Sequence, residues 1–393
     1  WKQAEFKSPR ASFPAPPWDG SDPSGLTVLV WAEQGVGDEI MFASMLPDLI
    51  AIGADVILEC DARMVPLFER SILAIEYLPR SDPQSQEATR DDIDFQVSCG
   101  SLGQWFREDF ESFPDRQAFL VADGDLRSAI RARYGVGDGT MLVGIAWYSK
   151  NVEIGTEKSM ALSDWREILT TPGVRFVDLQ YGNTTAERES VEAETGVRIL
   201  HDDAIDQMAD LDDFAAQVAA MDLVITISNT TAHMAGALGV PVWILLSAVP
   251  MWRWFQDCDN SPWYPSARLF RQSEAGEWTP VIDSVVAALR RHLDAHGFGM
   301  IDLTELRQNR FPPWRTDPDN PTDAGEATVR QWEAEGVVEW WGYSRNMAET
   351  LGKAHVICMP SYREGLPRVL IEAAATARAI VTTAHRNQGG EQD

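Results

Sequence analysis

The sequence predicts an α/β architecture of doubly wound parallel sheets. Three observations carry that expectation: short aliphatic runs alternate with longer amphipathic ones, glycines stand where helices must stop, and the alternation breaks once and then restarts. Residues 26–31 read as a short apolar strand, followed by a glycine-containing turn and a helix from residue 39 to about residue 52. Gly53 occupies the stop position, residues 55–60 form the next strand, and residues 94–98 a weaker third. Composition turns glycine-rich at residues 134–139, which places a boundary there. The second unit repeats the pattern, with strands at 141–147, 174–179, 223–227 and 240–246. Its closing helix, residues 284–296, carries Val285, Val286, Leu289 and Leu293 at helical spacing.

The expected organisation is therefore an N-terminal Rossmann-like domain over 1–137, a second over 138–297, and a linker over 298–313. The polar, proline-rich run 307–320 reads as an irregular connection. Residues 314–393 form a smaller α/β segment, with a helix near 327–335, strands near 337–341 and 355–359, and a helix over 367–377. Roughly 80 residues is half a domain of this kind.

The chain has 393 residues and a formal net charge of −27, with Lys and Arg numbering 33 against 60 Asp and Glu. That balance excludes a broad nucleic-acid or anionic-membrane surface, because neutralising phosphates takes clustered cations in excess. Cys60, Cys99, Cys258 and Cys358 have no paired spacing, which argues against a zinc site or a disulfide scaffold and points to a reducing cytoplasm. No apolar stretch approaches the ~20 residues that span a bilayer. The N-terminus lacks a signal-peptide pattern, and an opening at Trp1 rather than Met leads to the expectation of a fragment.

The first strand runs into Trp31-Ala32-Glu33-Gln34-Gly35-Val36-Gly37-Asp38-Glu39-Ile40. A dinucleotide fingerprint needs a third glycine where Ile40 stands, and two carboxylates at the helix start repel a pyrophosphate. Two readings stay open here. Either Asp38 and Glu39 cap the helix, or a carboxylate at the mouth of a cleft removes a proton from an acceptor hydroxyl. This run, through Met41-Phe42, resembles the opening of the glycosyltransferase domain that follows tetratricopeptide repeats in many bacterial proteins, itself similar to the ADP-heptose:lipopolysaccharide heptosyltransferases. The resemblance implies a GT-B fold with substrate between two Rossmann-like halves, upstream repeats, and Asp38 as catalytic base.

The same resemblance extends to Asn229-Thr230-Thr231-Ala232-His233-Met234-Ala235-Gly236-Ala237-Leu238-Gly239, which is similar to the family's donor-diphosphate motif, with Asn229 where many members carry Asp. A strand ending in small hydroxyl residues before a helix offers backbone N–H groups to an anion; the alternative is an ordinary capped helix with His233 satisfied locally. Lys158, with Lys150 as a second candidate, matches the cation that reaches the donor phosphates, and Gln180 in Leu179-Gln180-Tyr181-Gly182 matches a segment meeting the nucleotide. The aromatic runs Trp252-Arg253-Trp254 and Ser261-Pro262-Trp263-Tyr264-Pro265 also resemble the family and are given only a share in shaping the donor pocket.

Residues 314–383 resemble instead the C-terminal domain of the retaining, group 1 glycosyltransferases, with Glu364 and Glu372 in its E-x7-E pattern as a second donor motif. Without that family's acceptor domain, this piece is expected to be catalytically incompetent alone. The expectation is an inverting, metal-independent and cofactor-free glycosyltransferase whose substrates are a nucleotide-sugar donor and a glycan, lipid-linked glycan or protein acceptor. The alternatives are a non-catalytic nucleotide-sugar-binding or scaffolding module and a nucleotide-sugar epimerase.

Overall fold

The computed structural model describes residues 13–135, 140–151, 155–256, 258–296, 356–359 and 379–382. In chain order the first half runs β1 (Thr27–Trp31), α1 (Val36–Ala43), α2 (Leu46–Ala51), β2 (Asp55–Cys60), α3 (Val65–Ser71), β3 (Ile75–Pro79), β4 (Phe95–Ser98), α4 (Gly103–Phe106) and α5 (Gly124–Arg133). The second runs β5 (Met141–Ala146), α6 (Gly155–Lys158), α7 (Arg166–Leu169), β6 (Val174–Asp178), α8 (Thr185–Thr195), α9 (Leu211–Ala219), β7 (Leu223–Ile227), α10 (Thr230–Ala237), β8 (Val242–Leu246), β9 (Ala267–Arg271) and α11 (Thr279–His296). Further along, β10 (Val356–Met359) and β11 (Ala379–Thr382) pair in parallel with Val356 opposite Ala379.

Besides that two-stranded pair, β1–β9 build two parallel sheets, ordered β3-β2-β1-β4 and β6-β5-β7-β8-β9. The expected α/β class of doubly wound parallel sheets is therefore what the chain adopts. Central strands are apolar on both faces, as parallel strands covered by helices must be: every residue of β7 and β8 is buried. Alternation sorts the side chains between layers. Val28 and Val30 join one core while Leu29, between them, joins a small cluster with Ile57 and Leu78 on the opposite face. The larger core is shared: Val28, Met41 and Phe42 from the first half pack in one cluster with Phe214, Val224 and Met234 from the second.

Two expectations are corrected. The single helix over 39–52 is two helices, α1 beginning already at Val36, because Pro47 in the first turn of α2 has no N–H to continue the ladder and Ser44 turns its hydroxyl back onto the Met41 carbonyl at 2.7 Å. The strand at 94–98 is the fourth, because β3 precedes it; β3 is an edge strand with one buried residue in five and closes on Pro79, so its apolar signal is weak. Gly53, as expected, ends the helical run with a φ of 92°. The expected boundary at 137/138 and the linker at 298–313 lie outside the described residues, as do Glu364 and Glu372.

Candidate active site

In each sheet the connections lead away in opposite directions at one pair of neighbouring strands, β1 and β4 in the first and β5 and β7 in the second. Ligands of open α/β sheets bind outside the carboxyl ends of the strands at such switch points. Asp38 follows β1, Lys150 and Lys158 follow β5, and residues 229–233 follow β7, so these expected residues all leave from switch-point strands, while Gln180 follows β6.

Asp38 lies in the first turn of α1, whose N-cap is Gly35 without a side-chain cap. The capping reading is thus corrected for both carboxylates. Glu39 is buried, accepts the Asp61 amide at 2.9 Å and pairs with Arg80 at 2.9 Å. Asp38 pairs instead with Arg253, Nη2 to Oδ1 at 2.5 Å. Burial pushes the Asp38 carboxyl above its ordinary range, against the opposing pull of Arg253 and Lys158.

Lys158 ends the short helix α6. The loop that carries it is tied back on itself, with the Met160 amide donating to the Trp147 carbonyl at 3.1 Å and the Ser149 amide to Ser159 Oγ at 2.9 Å. Burial, then the neighbouring Arg253 charge, lowers the Lys158 ammonium to about 8, with Asp38 opposing. A carboxylate and two cations therefore converge, drawn from α1, from the β5 loop and from the loop after β8.

Arg253 is the residue that sequence reasoning passed over as a site. It sits in a single 3₁₀ turn over Trp252–Trp254 and is only 7 % exposed. Trp254 anchors the turn: its Nε1 donates to Ser228 Oγ at 2.7 Å, and its carbonyl accepts Arg271 Nη2 at 2.6 Å. The signal was present, since an arginine bracketed by two tryptophans just past a strand's carboxyl end is held rather than solvated.

His233 is buried on α10 and bonds through Nδ1 to the Tyr264 hydroxyl at 2.8 Å, while its ring stacks on Trp254 at 5.2 Å. Burial foremost, then the charges of Arg253 and Lys158, hold it well below its usual pKa, so the imidazole is neutral. A Cβ on Gly37 would come within 2.9 Å of His233 Cδ2, and one on Gly236 within 2.4 Å of the Tyr264 ring. Gly37 lets the Asp38 turn close onto α10, and Gly236 lets the Tyr264 ring lie against the same helix.

Asn229 is the N-cap of α10, its Oδ1 accepting from the Ala232 amide at 3.3 Å and from Thr226 Oγ1 at 3.1 Å. Its Nδ2, like Arg253 Nε, is buried without a hydrogen-bond partner. Thr231 and Ala232 are buried in the first turn, and Thr230 is half-buried. Gln180 is buried, with Oε1 accepting from the Trp147 and Tyr148 amides at 3.0 and 2.8 Å, so its carbonyl is committed to shaping the β5 exit. Lys150 is exposed, its ammonium 5.5 Å from the Tyr181 ring centre. The structure thus gathers Asp38, Lys158 and His233 with Arg253, and leaves Lys150 at the surface.

Comparison with known proteins gives three kinds of similarity. Residues 318–392 match the family model described as glycosyl transferases group 1. Protein FlbA of Caulobacter vibrioides is 37% identical over 301 residues, covering 72% of this chain and 49% of that protein, so the chain spans about half the length of this curated relative. Among solved structures, the Escherichia coli ADP-heptose lipopolysaccharide heptosyltransferase II is 15% identical with a TM-score of 0.48, over 69% of this chain and 99% of that one. A family 9 glycosyl transferase from Veillonella parvula is 13% identical with a TM-score of 0.45, over 64% and 87%.

Proposed function

We propose that residues 13–296 form a glycosyltransferase unit that moves a sugar from a nucleotide-sugar donor to an acceptor hydroxyl by an inverting, metal-independent route. The observation that carries this reading is the meeting of Asp38, Arg253 and Lys158 beyond the switch points of two parallel sheets. Glycosyl transfer needs a base for the acceptor and charge for the departing diphosphate. Asp38 is the base: its burial raises its proton affinity, and a carboxylate has more acceptor sites than one guanidinium contact uses. Lys158 and Arg253 supply positive charge inside a chain of net −27. Arg253 Nε and Asn229 Nδ2, buried donors without partners, are groups that phosphate oxygens would satisfy.

In this reading neutral His233 is a strut rather than a phosphate ligand: Tyr264 holds its ring, and the α1 turn packs against that ring at Gly37. The group 1 match over 318–392 also belongs to a glycosyltransferase family, and Glu364 and Glu372 fall within it. Its retaining chemistry would concern that segment alone.

The test is a panel of ADP-, GDP-, UDP- and CMP-sugars screened by thermal shift, since a donor bound only to the folded state raises the melting temperature. Turnover of the donors that shift it is then measured for wild type and Asp38→Ala. Loss of about 10²-fold or more in the variant, with the thermal shift retained, is expected of a general base. Undiminished turnover in Asp38→Ala sinks the assignment, wild-type binding without turnover favours a non-catalytic module, and donor conversion without acceptor favours an epimerase.

A further inference from the structure

Beside the Asp38–Arg253 pair lies a pocket of about 240 Å³ walled by Phe42, Phe110, Phe113, Trp252, Phe255 and Trp263. Phe42 stands one helical turn beyond Asp38 on the same face of α1, and Trp252 immediately precedes Arg253. Their rings stack at 6.4 Å, and the Arg253 guanidinium carbon lies 5.8 Å from the Trp252 ring centre. The pocket wall is therefore continuous with the ion pair.

The walls meet edge to face: Trp263 stands at 90° to Phe113, 76° to Phe42 and 78° to Trp252. Rings locked edge to face form one rigid apolar wall, and such a wall favours an aliphatic side chain over the hydroxyls of a sugar. At the mouth, Phe110 and Trp252 are 64% and 46% exposed, the kind of apolar surface that marks a contact site.

Charge narrows the occupant further. Both arginines of the segment 107–116 turn to one carboxylate, Arg107 lying 2.7 Å and Arg116 3.4 Å from Asp48. Glu108 and Asp109 line the pocket, and Glu111 and Asp115 are exposed on the same segment. An anionic occupant would meet this acidic lip unfavourably; a neutral or basic one would not.

We propose that this aromatic box is the acceptor subsite, and that it seats an apolar side chain of a neutral-to-basic polypeptide whose hydroxyl residue stands beside Asp38. The proposal rests on the transferase reading and names the acceptor class for it. It is tested by calorimetric titration of the full 393-residue chain with the peptide Ac-Lys-Leu-Ser-Leu-Lys-amide. The controls are its Gly-for-Leu and Glu-for-Lys versions and the neutral glycan maltotriose. Saturable binding of the first peptide is expected, weakened about ten-fold or more without leucine, as the loss of one buried aliphatic chain implies. The same loss is expected in Phe110→Ser, an exposed position whose variant keeps its fold. Glu108→Lys combined with Asp109→Lys should shift preference toward the Glu version.

Failure of the leucine peptide to saturate, binding indifferent to Phe110→Ser, or maltotriose binding that Phe110→Ser abolishes would each overturn the proposal. Binding lost in Phe110→Ser with no turnover of any donor keeps the box and sinks the transferase reading. Peptide glycosylation at wild-type rate in Phe110→Ser does the reverse.

Discussion

If Lys158 holds the donor diphosphate as a cation, activity must fall when it loses its proton, and the fall comes unusually early. The ordinary lysine pKa is near ~10.4, but burial beside Arg253 brings Lys158 to about 8. Roughly nine-tenths of the molecules then carry the charge at pH 7 and roughly one-tenth at pH 9. The profile to record is kcat/KM for donor turnover between pH 5 and 10, because that ratio reports groups of the free enzyme, before a bound diphosphate raises the lysine pKa again. The expected fall is about ten-fold from pH 7 to pH 9.

The sign on the acid side is opposite. Asp38 acts only when ionised, so activity rises as pH climbs through its pKa, which burial lifts above the usual carboxylate value of ~3.9. The two limbs make a bell. Lys158→Arg separates the causes, since a guanidinium keeps its charge across this range: the alkaline limb should vanish while the acid limb stays. Lys158→Met should lower kcat/KM below about pH 8 and remove the alkaline limb, with the difference from wild type shrinking at higher pH. A wild-type profile flat from pH 7 to 10, or an alkaline limb unchanged in Lys158→Arg, refutes the assignment.

Three further outcomes follow from the packing around that cluster. Gly236→Ala should destabilise by about 1–3 kcal/mol in urea unfolding although alanine is the better helix former, because a Cβ there lies 2.4 Å from the Tyr264 ring; a stabilised variant would show that the ring gives way freely. Tyr264→Phe leaves His233 Nδ1 buried without its partner and should cost about 1–3 kcal/mol, read from the same midpoint shift. Gly37→Ala forces the Asp38 turn away from His233 and should lower turnover by about 10²-fold, as an ångström of misplacement does, with a much smaller loss of stability. Wild-type turnover in that variant would remove the strut role given to His233.

How much of this was legible in the sequence depended on the range over which each feature is decided. Strands β2 and β7 fall on the residues the pattern predicts, because a parallel strand covered on both faces buries nearly every residue and carries an aliphatic run, Val56-Ile57-Leu58 in β2 and Leu223-Val224-Ile225 in β7. β3 does not announce itself, since an edge strand with one buried residue spends little hydrophobicity. β9 escaped for a related reason: Arg268 at its second residue and Arg271 at its end interrupt the run, although Leu269 and Phe270 between them are buried. The candidate site follows the same rule. Asn229 and His233 sit in one contiguous motif, and the motif gave their neighbourhood, whereas the N-cap bond of Asn229 and the bond of His233 to Tyr264 show only in three dimensions.

Asp38 is legible by position, but its ion pair with Arg253 is not, because no spacing rule connects a carboxylate after β1 with an arginine after β8. Local reasoning weighed Asp38 and Glu39 together as first-turn acids, and the fold then gives them different fates. Glu39 goes to Arg80 and an amide within its own sheet, whereas Asp38 reaches across to the second. A helix terminus offers both carboxylates the same modest stabilisation, so the long-range partner, and not the helix, decides which of them is built into the foundation and which is held at the site.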